Sequence, residues 1–160
     1  MLSYAAMSKL IALLITLEGF SACAYWDVSQ YSIGYGTRAN SKYECIDKNA
    51  AKSRLINHLQ GDIKFIKSVF SAKNSKPEET EIIGLASYCY NMGHNGCKKA
   101  VQLAANDEHR AASWVMRKEI KKGSGYEEGL TIRRAKETAL LLEAAEKPSF
   151  TEWIISGYDY

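Results

Sequence analysis

The sequence predicts an α+β fold, in which a small antiparallel β-containing lobe meets a larger helical lobe across a long helix. Three observations carry this. Apolar residues recur at helical spacing over residues 8–18, 49–70 and 127–145. Residues 22–40, between the first two stretches, are rich in Tyr, Trp, Ile, Val, Ser and Thr, with glycines at 34 and 36. The 160-residue length suits one compact domain that hides roughly 70% of its unfolded surface.

The first helix is expected over Ser8–Glu18. Ser8 serves as N-cap, Leu10, Leu13, Leu14 and Leu17 form the stripe, and Gly19 supplies a left-handed stop. A hairpin or three-stranded sheet follows, turning near Val28–Gln30. From Asn49 to Phe70 the stripe is Leu55, Leu59, Ile63, Ile66 and Phe70, a helix of roughly 33 Å. Ser75-Lys76-Pro77-Glu78 reads as a capping box that opens a helix with Ile82, Leu85, Ala86 and Cys89 inward, closing at Gly93. Short helices are expected around Lys98–Ala105 and Glu108–Ile120, then a flexible loop over 121–125. The last helix spans Glu127–Ala145, with Leu130, Ala135, Leu141, Leu142 and Ala145 as its apolar stripe. The apolar tail after Pro148 is expected to dock on a helix. Residues 1–160 thus form a single domain. Its β-containing lobe covers about 19–48, its linking helix about 49–70, and its helical lobe about 71–160 together with helix 8–18.

Composition narrows the function. Hydrophobic residues are 46%, charged residues 24%, and prolines number two, which excludes disorder, collagen and coiled coil as the dominant organisation. The net charge of +3 favours an anionic polymer, but no basic stripe supports a nucleic-acid partner. No run reaches the roughly 18 apolar residues of a membrane span, so stable membrane insertion is not expected. The apolar run Ile11–Leu17 ends at Glu18 without a small-residue cleavage site, so no signal segment is expected and something else must deliver the protein. The cysteines at 23, 45, 89 and 97 are too few for a disulfide scaffold; they are read as mostly reduced core residues, with Cys89–Cys97 and Cys23–Cys45 as open pairings. Cys89, His94 and Cys97 lack a fourth zinc ligand, and no metal or cofactor is expected. His58 and His109 are placed on exposed helix faces. Gly34-x-Gly36 lacks the helix of a phosphate-binding turn and reads as a close backbone approach.

The most informative stretch is Glu18 through Arg38. Glu18 lies in the last turn of an apolar helix, where the helix dipole and partial burial both disfavour a charged carboxyl. Asp27, at a polar turn among aromatic strand residues, stays ionised. Two carboxyls in contrasting surroundings suit glycosidic-bond cleavage. Spacing alone favours a capping acid and a turn aspartate, because any protein has such pairs.

Leu17-Glu18-Gly19-Phe20, Ala24-Tyr25-Trp26-Asp27 and Ser32-Ile33-Gly34-Tyr35-Gly36-Thr37 resemble the motifs of phage-type lysozymes and endolysins of glycoside hydrolase family 24, including the interval of eight residues between glutamate and aspartate. Leu85-Ala86-Ser87-Tyr88-Cys89-Tyr90-Asn91-Met92-Gly93 resembles that family's helix end, and Gly129-Leu130-Thr131-Ile132-Arg133-Arg134-Ala135-Lys136-Glu137 its later helix start. The resemblance implies a lysozyme-like fold and a muramidase that cuts the β-1,4 bond between N-acetylmuramic acid and N-acetylglucosamine in bacterial peptidoglycan. It implies Glu18 as general acid, Asp27 as the acid that handles water, and Ser32 where the family has threonine, the hairpin being one residue shorter. Thr37 stands where the family has histidine. Tyr25, Tyr35, Thr37 and Tyr126 are expected to bind substrate, and one of Arg133 and Arg134 to make a structural ion pair.

Two alternatives stand beside this reading. A lytic transglycosylase would cut the same bond and leave 1,6-anhydro ends, and an inactive module would bind the wall without turnover. The expected protein is a monomer made in the host cytoplasm and acting on the wall in the periplasm. A pore-forming partner releases it, or it travels as part of a virion.

Overall fold

The computed structural model describes residues 2–27, 29–120 and 125–145. In chain order the elements are α1 (Tyr4–Glu18), β1 (Ser21–Asp27), β2 (Gln30–Gly34), β3 (Thr37–Arg38), α2 (Lys48–Ser71), α3 (Glu79–Ala105), α4 (His109–Lys118) and α5 (Glu127–Ala145). The α+β expectation is met by a three-stranded antiparallel sheet, ordered β1-β2-β3, beside a helical body. The expected loop over residues 121–124 and the apolar tail lie outside the described residues.

Helix α1 starts earlier than predicted. Ser3 caps it, its hydroxyl accepting from the Ala6 amide at 3.2 Å, whereas Ser8 sits exposed inside the helix. Ser3 also donates to Glu79 through its amide (2.6 Å) and hydroxyl (2.8 Å), which ties α1 to the start of α3. Leu10 and Leu14 of α1 are fully buried, as are Leu55, Leu59 and Ile66 of α2. Burial of each such side chain contributes about 1.5–3 kcal/mol. The predicted α2 stripe is the buried one, and Asp47 caps that helix by accepting from the Ala50 amide at 2.7 Å.

Helix α3 is the central element and packs against α1, α2, α4 and α5. Its capping box lies three residues later than predicted. Glu78 is the N-cap, and the Glu81 carboxylate accepts from its amide at 3.1 Å, because Pro77 fits just before the cap. The helix does not close at Gly93. It kinks there, with φ +68° and ψ +165°, and resumes through the predicted 98–105 segment. The cysteines are not reduced: Cys89–Cys97 spans the kink and Cys23–Cys45 closes the sheet region, both pairs as disulfides. The second bond is continuous with a short bridge between Cys23 and Cys45, flanked by Ala24 N–H to Glu44 O (2.8 Å) and Ile46 N–H to Ala22 O (2.7 Å). His58 is exposed as expected, but His109 is buried, facing Glu81 Oε1 at 2.9 Å.

The largest departure is α5. Its bounds match the prediction, but its buried face is Arg133, Arg134, Glu137, Thr138 and Leu141 rather than a wholly apolar stripe; Ala135 and Ala145 are exposed. Both arginines make ion pairs. Arg134 Nη1 donates to Glu137 Oε2 at 2.6 Å, its Nη2 donates to Asn91 Oδ1 at 2.5 Å, and its guanidinium lies 4.6 Å from the Tyr88 ring centre.

Two outcomes are expected from these contacts. Glu137→Ala leaves two buried cations without their shared anion and lowers stability by about 3–5 kcal/mol in chemical denaturation. Near the sheet, the Arg54 guanidinium and then the Asn40 amide hold the Glu44 carboxyl down at about 2. A depressed folded value makes this contribution complete above the unfolded carboxylate range and lost as pH falls through about 2. Glu44→Gln is therefore expected to melt below the parent near neutrality, the gap closing as the pH approaches about 2.

Candidate active site

Helix α1 delivers the first acid. Its apolar face is buried against the helical body, so the last-turn Glu18 stands at the rim with 18% of its side chain exposed. The chain leaves through Gly19 at φ +68° and ψ −179°, a backbone state essentially restricted to glycine. Strand β1 then carries Asp27 to its far end, opposite Gln30 of β2.

Strand alternation puts Tyr25 and Asp27 on one face. Tyr25 pairs in register with Ser32, and the buried Ser32 hydroxyl donates to Asp27 Oδ2 at 3.3 Å. Burial raises the Tyr25 phenol above its ordinary range, and the charges of Asp27 and then Glu18 push it further. One phenol thus lies within electrostatic reach of both acids.

Glu18 is held more firmly than the sequence suggested. Its Oε1 accepts from Arg133 Nη1 at 2.5 Å. The same guanidinium donates through Nε to Glu137 Oε1 (2.9 Å) and through Nη2 to the Ser87 carbonyl (2.8 Å). The Ser87 hydroxyl completes the ring by donating to Glu137 Oε1 at 2.7 Å. The second Glu18 oxygen faces Gly36. This residue sits at φ +83°, and a Cβ there would come within 3.2 Å of Oε2.

The other expected residues divide. Tyr25 is 40% exposed and available to a ligand. Tyr126 is 75% exposed just before α5, on the helical body. Tyr35 is a correction: it is only 5% exposed, its ring 5.6 Å from that of Phe20, so it supports the site from beneath. Thr37 is nearly buried and spends its hydroxyl on the Ile33 carbonyl at 3.2 Å. With Arg38, Asn40, Arg54, Asn57 and His58 it lines a cavity of about 360 Å³. Among the described residues, no cluster of three or more His, Cys, Asp and Glu is arranged to hold a metal ion.

Sequence reasoning missed the roles of Ser87 and Glu137 and the contact between Arg133 and the acid. An Arg-Arg-x-x-Glu run on the inward side of a helix was the available signal, since buried charges are kept only when paired. The arrangement provides one carboxyl gripped on one oxygen by a cation, and a second carboxylate aligned by a hydroxyl.

Comparison with known proteins gives a family and a fold. The family model for phage lysozyme matches residues 15–137. The muramidase domain of SpmX from Asticaccaulis excentricus superposes with a TM-score of 0.72 at 19% identity, covering 89% of this chain and 97% of that one. The endolysin from Escherichia coli O157:H7 phage FAHEc1 gives 0.65 at 20% identity, with 93% and 97% covered. The active form of the P1 phage endolysin Lyz gives 0.69 at 15% identity, with 92% and 97% covered. No curated protein sequence matches.

Arg133→Lys keeps the charge but cannot serve three acceptors with a planar fork. Clearing of a peptidoglycan suspension should fall by about tenfold, while circular dichroism at the assay temperature stays native.

Proposed function

This chain belongs to the phage lysozyme family, and we propose that Glu18 and Asp27 are the acids through which it acts. It is a peptidoglycan-cleaving muramidase, a glycoside hydrolase. The observation that supports this reading is the double fixing of the two carboxyls, Glu18 by the Arg133 guanidinium and Asp27 by the Ser32 hydroxyl.

In this reading the protonated Glu18 gives its proton to the glycosidic oxygen as the bond to C1 of N-acetylmuramic acid breaks. Positive charge develops on the sugar ring, and the Asp27 carboxylate steadies it. A water aligned by Asp27 attacks C1 from the opposite side, its oxygen forming the new bond and its proton passing to Asp27. Ser32 orients Asp27 by donating to Oδ2. Tyr25 offers a ring face and a hydroxyl to the sugar, and Tyr126 offers a second contact from the helical body.

The site of action is the cell wall. Two disulfides suit an oxidising compartment outside the cytoplasm. Among the described residues, no helix is long and apolar enough to cross a membrane. Delivery through a pore made by a partner, or within a virion, brings the enzyme to its substrate, where it works as a monomer.

The test is mass spectrometry of the muropeptides released from purified sacculi. Free reducing N-acetylmuramic ends are expected, and 1,6-anhydro ends would replace hydrolysis with transglycosylation. Glu18→Gln is expected to release nothing while keeping the parent's circular dichroism, and full release by that variant would remove Glu18 from the mechanism.

A further inference from the structure

We propose that Tyr90 is a positioning residue for the acid, acting through the turn between β2 and β3. The inference rests on the assignment of Glu18 above. Glu18 Oε1 is committed to Arg133, so Oε2 is the oxygen left to carry and deliver the proton. The backbone beside Oε2 is Gly36, and what fixes Gly36 therefore fixes the surroundings of that oxygen.

Apolar packing seats the turn on α2, Gly34 lying against Ala51 and Tyr35 buried in the core, and hydrogen bonds set its remaining freedom. Thr37, at its end, bonds only back into the hairpin, to the Ile33 carbonyl. Tyr90, near the kink of α3, makes the outward tie: its hydroxyl donates to the carbonyl of Tyr35 at 2.6 Å, one residue before Gly36. Its ring passes beneath the same glycine, with Cε1 at 3.9 Å from where a Gly36 Cβ would lie. The ring is in turn held edge-on by His58 of α2, the centroids 4.7 Å apart. Half-buried Tyr90 also feels the Glu18 charge directly: burial and then Glu18 raise its phenol well above the ordinary range, so it stays a proton donor to the carbonyl. Thus α2, α3 and the small sheet meet in one tyrosine placed behind the acid.

Tyr90→Phe keeps the ring and removes the tie. Steady-state kinetics on solubilised glycan strands are expected to show kcat about tenfold lower with KM within about twofold, because chemistry is misaligned while binding is not. A purely structural tyrosine would lower the melting temperature but leave kcat of the folded enzyme unchanged. Combining Tyr90→Phe with Arg133→Lys is expected to cost less than the product of the single effects, since both act on the Glu18 carboxyl. Parent kcat in the folded Tyr90→Phe variant, or multiplicative effects in the double variant, would overturn the inference. An active Glu18→Gln enzyme would instead overturn the assignment beneath it.

Discussion

The guanidinium of Arg133 is the contact on which the rest of this molecule depends. It holds the acid, the Glu137 carboxylate and the Ser87 carbonyl at once, and so joins α1, α3 and α5 in a single plane of hydrogen bonds. Two guanidinium groups, Arg133 and Arg134, meet two carboxyl groups, Glu18 and Glu137, in a region where most of these atoms are withdrawn from water. Such a cluster is costly to desolvate and contributes less to stability than an apolar core of equal volume. Its return is geometric. Planar donors and acceptors paired in this way narrow the arrangements open to the helices, and the one adopted sets where Glu18 stands.

The joint between α2 and α3 shows the same trade at a smaller scale. Asp62 is almost fully buried under two half-exposed histidines, 2.9 Å from His94 Nε2 and 3.6 Å from His58 Nε2. Burial drives its carboxyl upward while the histidines pull it back down. His94 follows the glycine at which α3 bends, and its ring stacks on Phe65 at 4.4 Å. With Cys89–Cys97 spanning the bend, the kink is fastened on both sides, and Tyr90 is presented to the sheet from a fixed direction.

Much of this was legible in the sequence, and the limits have physical causes. Apolar periodicity located α2 within a residue at each end and bounded α5 correctly, because period and breaker residues are local properties. Capping is less local. Ser3 outcompetes Ser8 because it is tied to the neighbouring helix through its two bonds to Glu79. The inward face of α5 was misread as apolar because its charges are satisfied by residues at distant positions, such as Ser87 and Glu18. The cysteine pairings were visible as options, but spacing alone does not bring Cys23 to Cys45. At the candidate site, motif resemblance named Glu18, Asp27 and Ser32, whereas the burial of Tyr35 comes from its place in the hydrophobic core beside Phe20, which no local pattern announces.

The bond between Glu18 and Arg133 joins positions 115 residues apart. During vectorial synthesis Glu18 therefore leaves the ribosome well before its guanidinium clamp and the carboxylate behind that clamp. A nascent polypeptide that has not yet reached Arg133 therefore displays Glu18 without the clamp that fixes its direction.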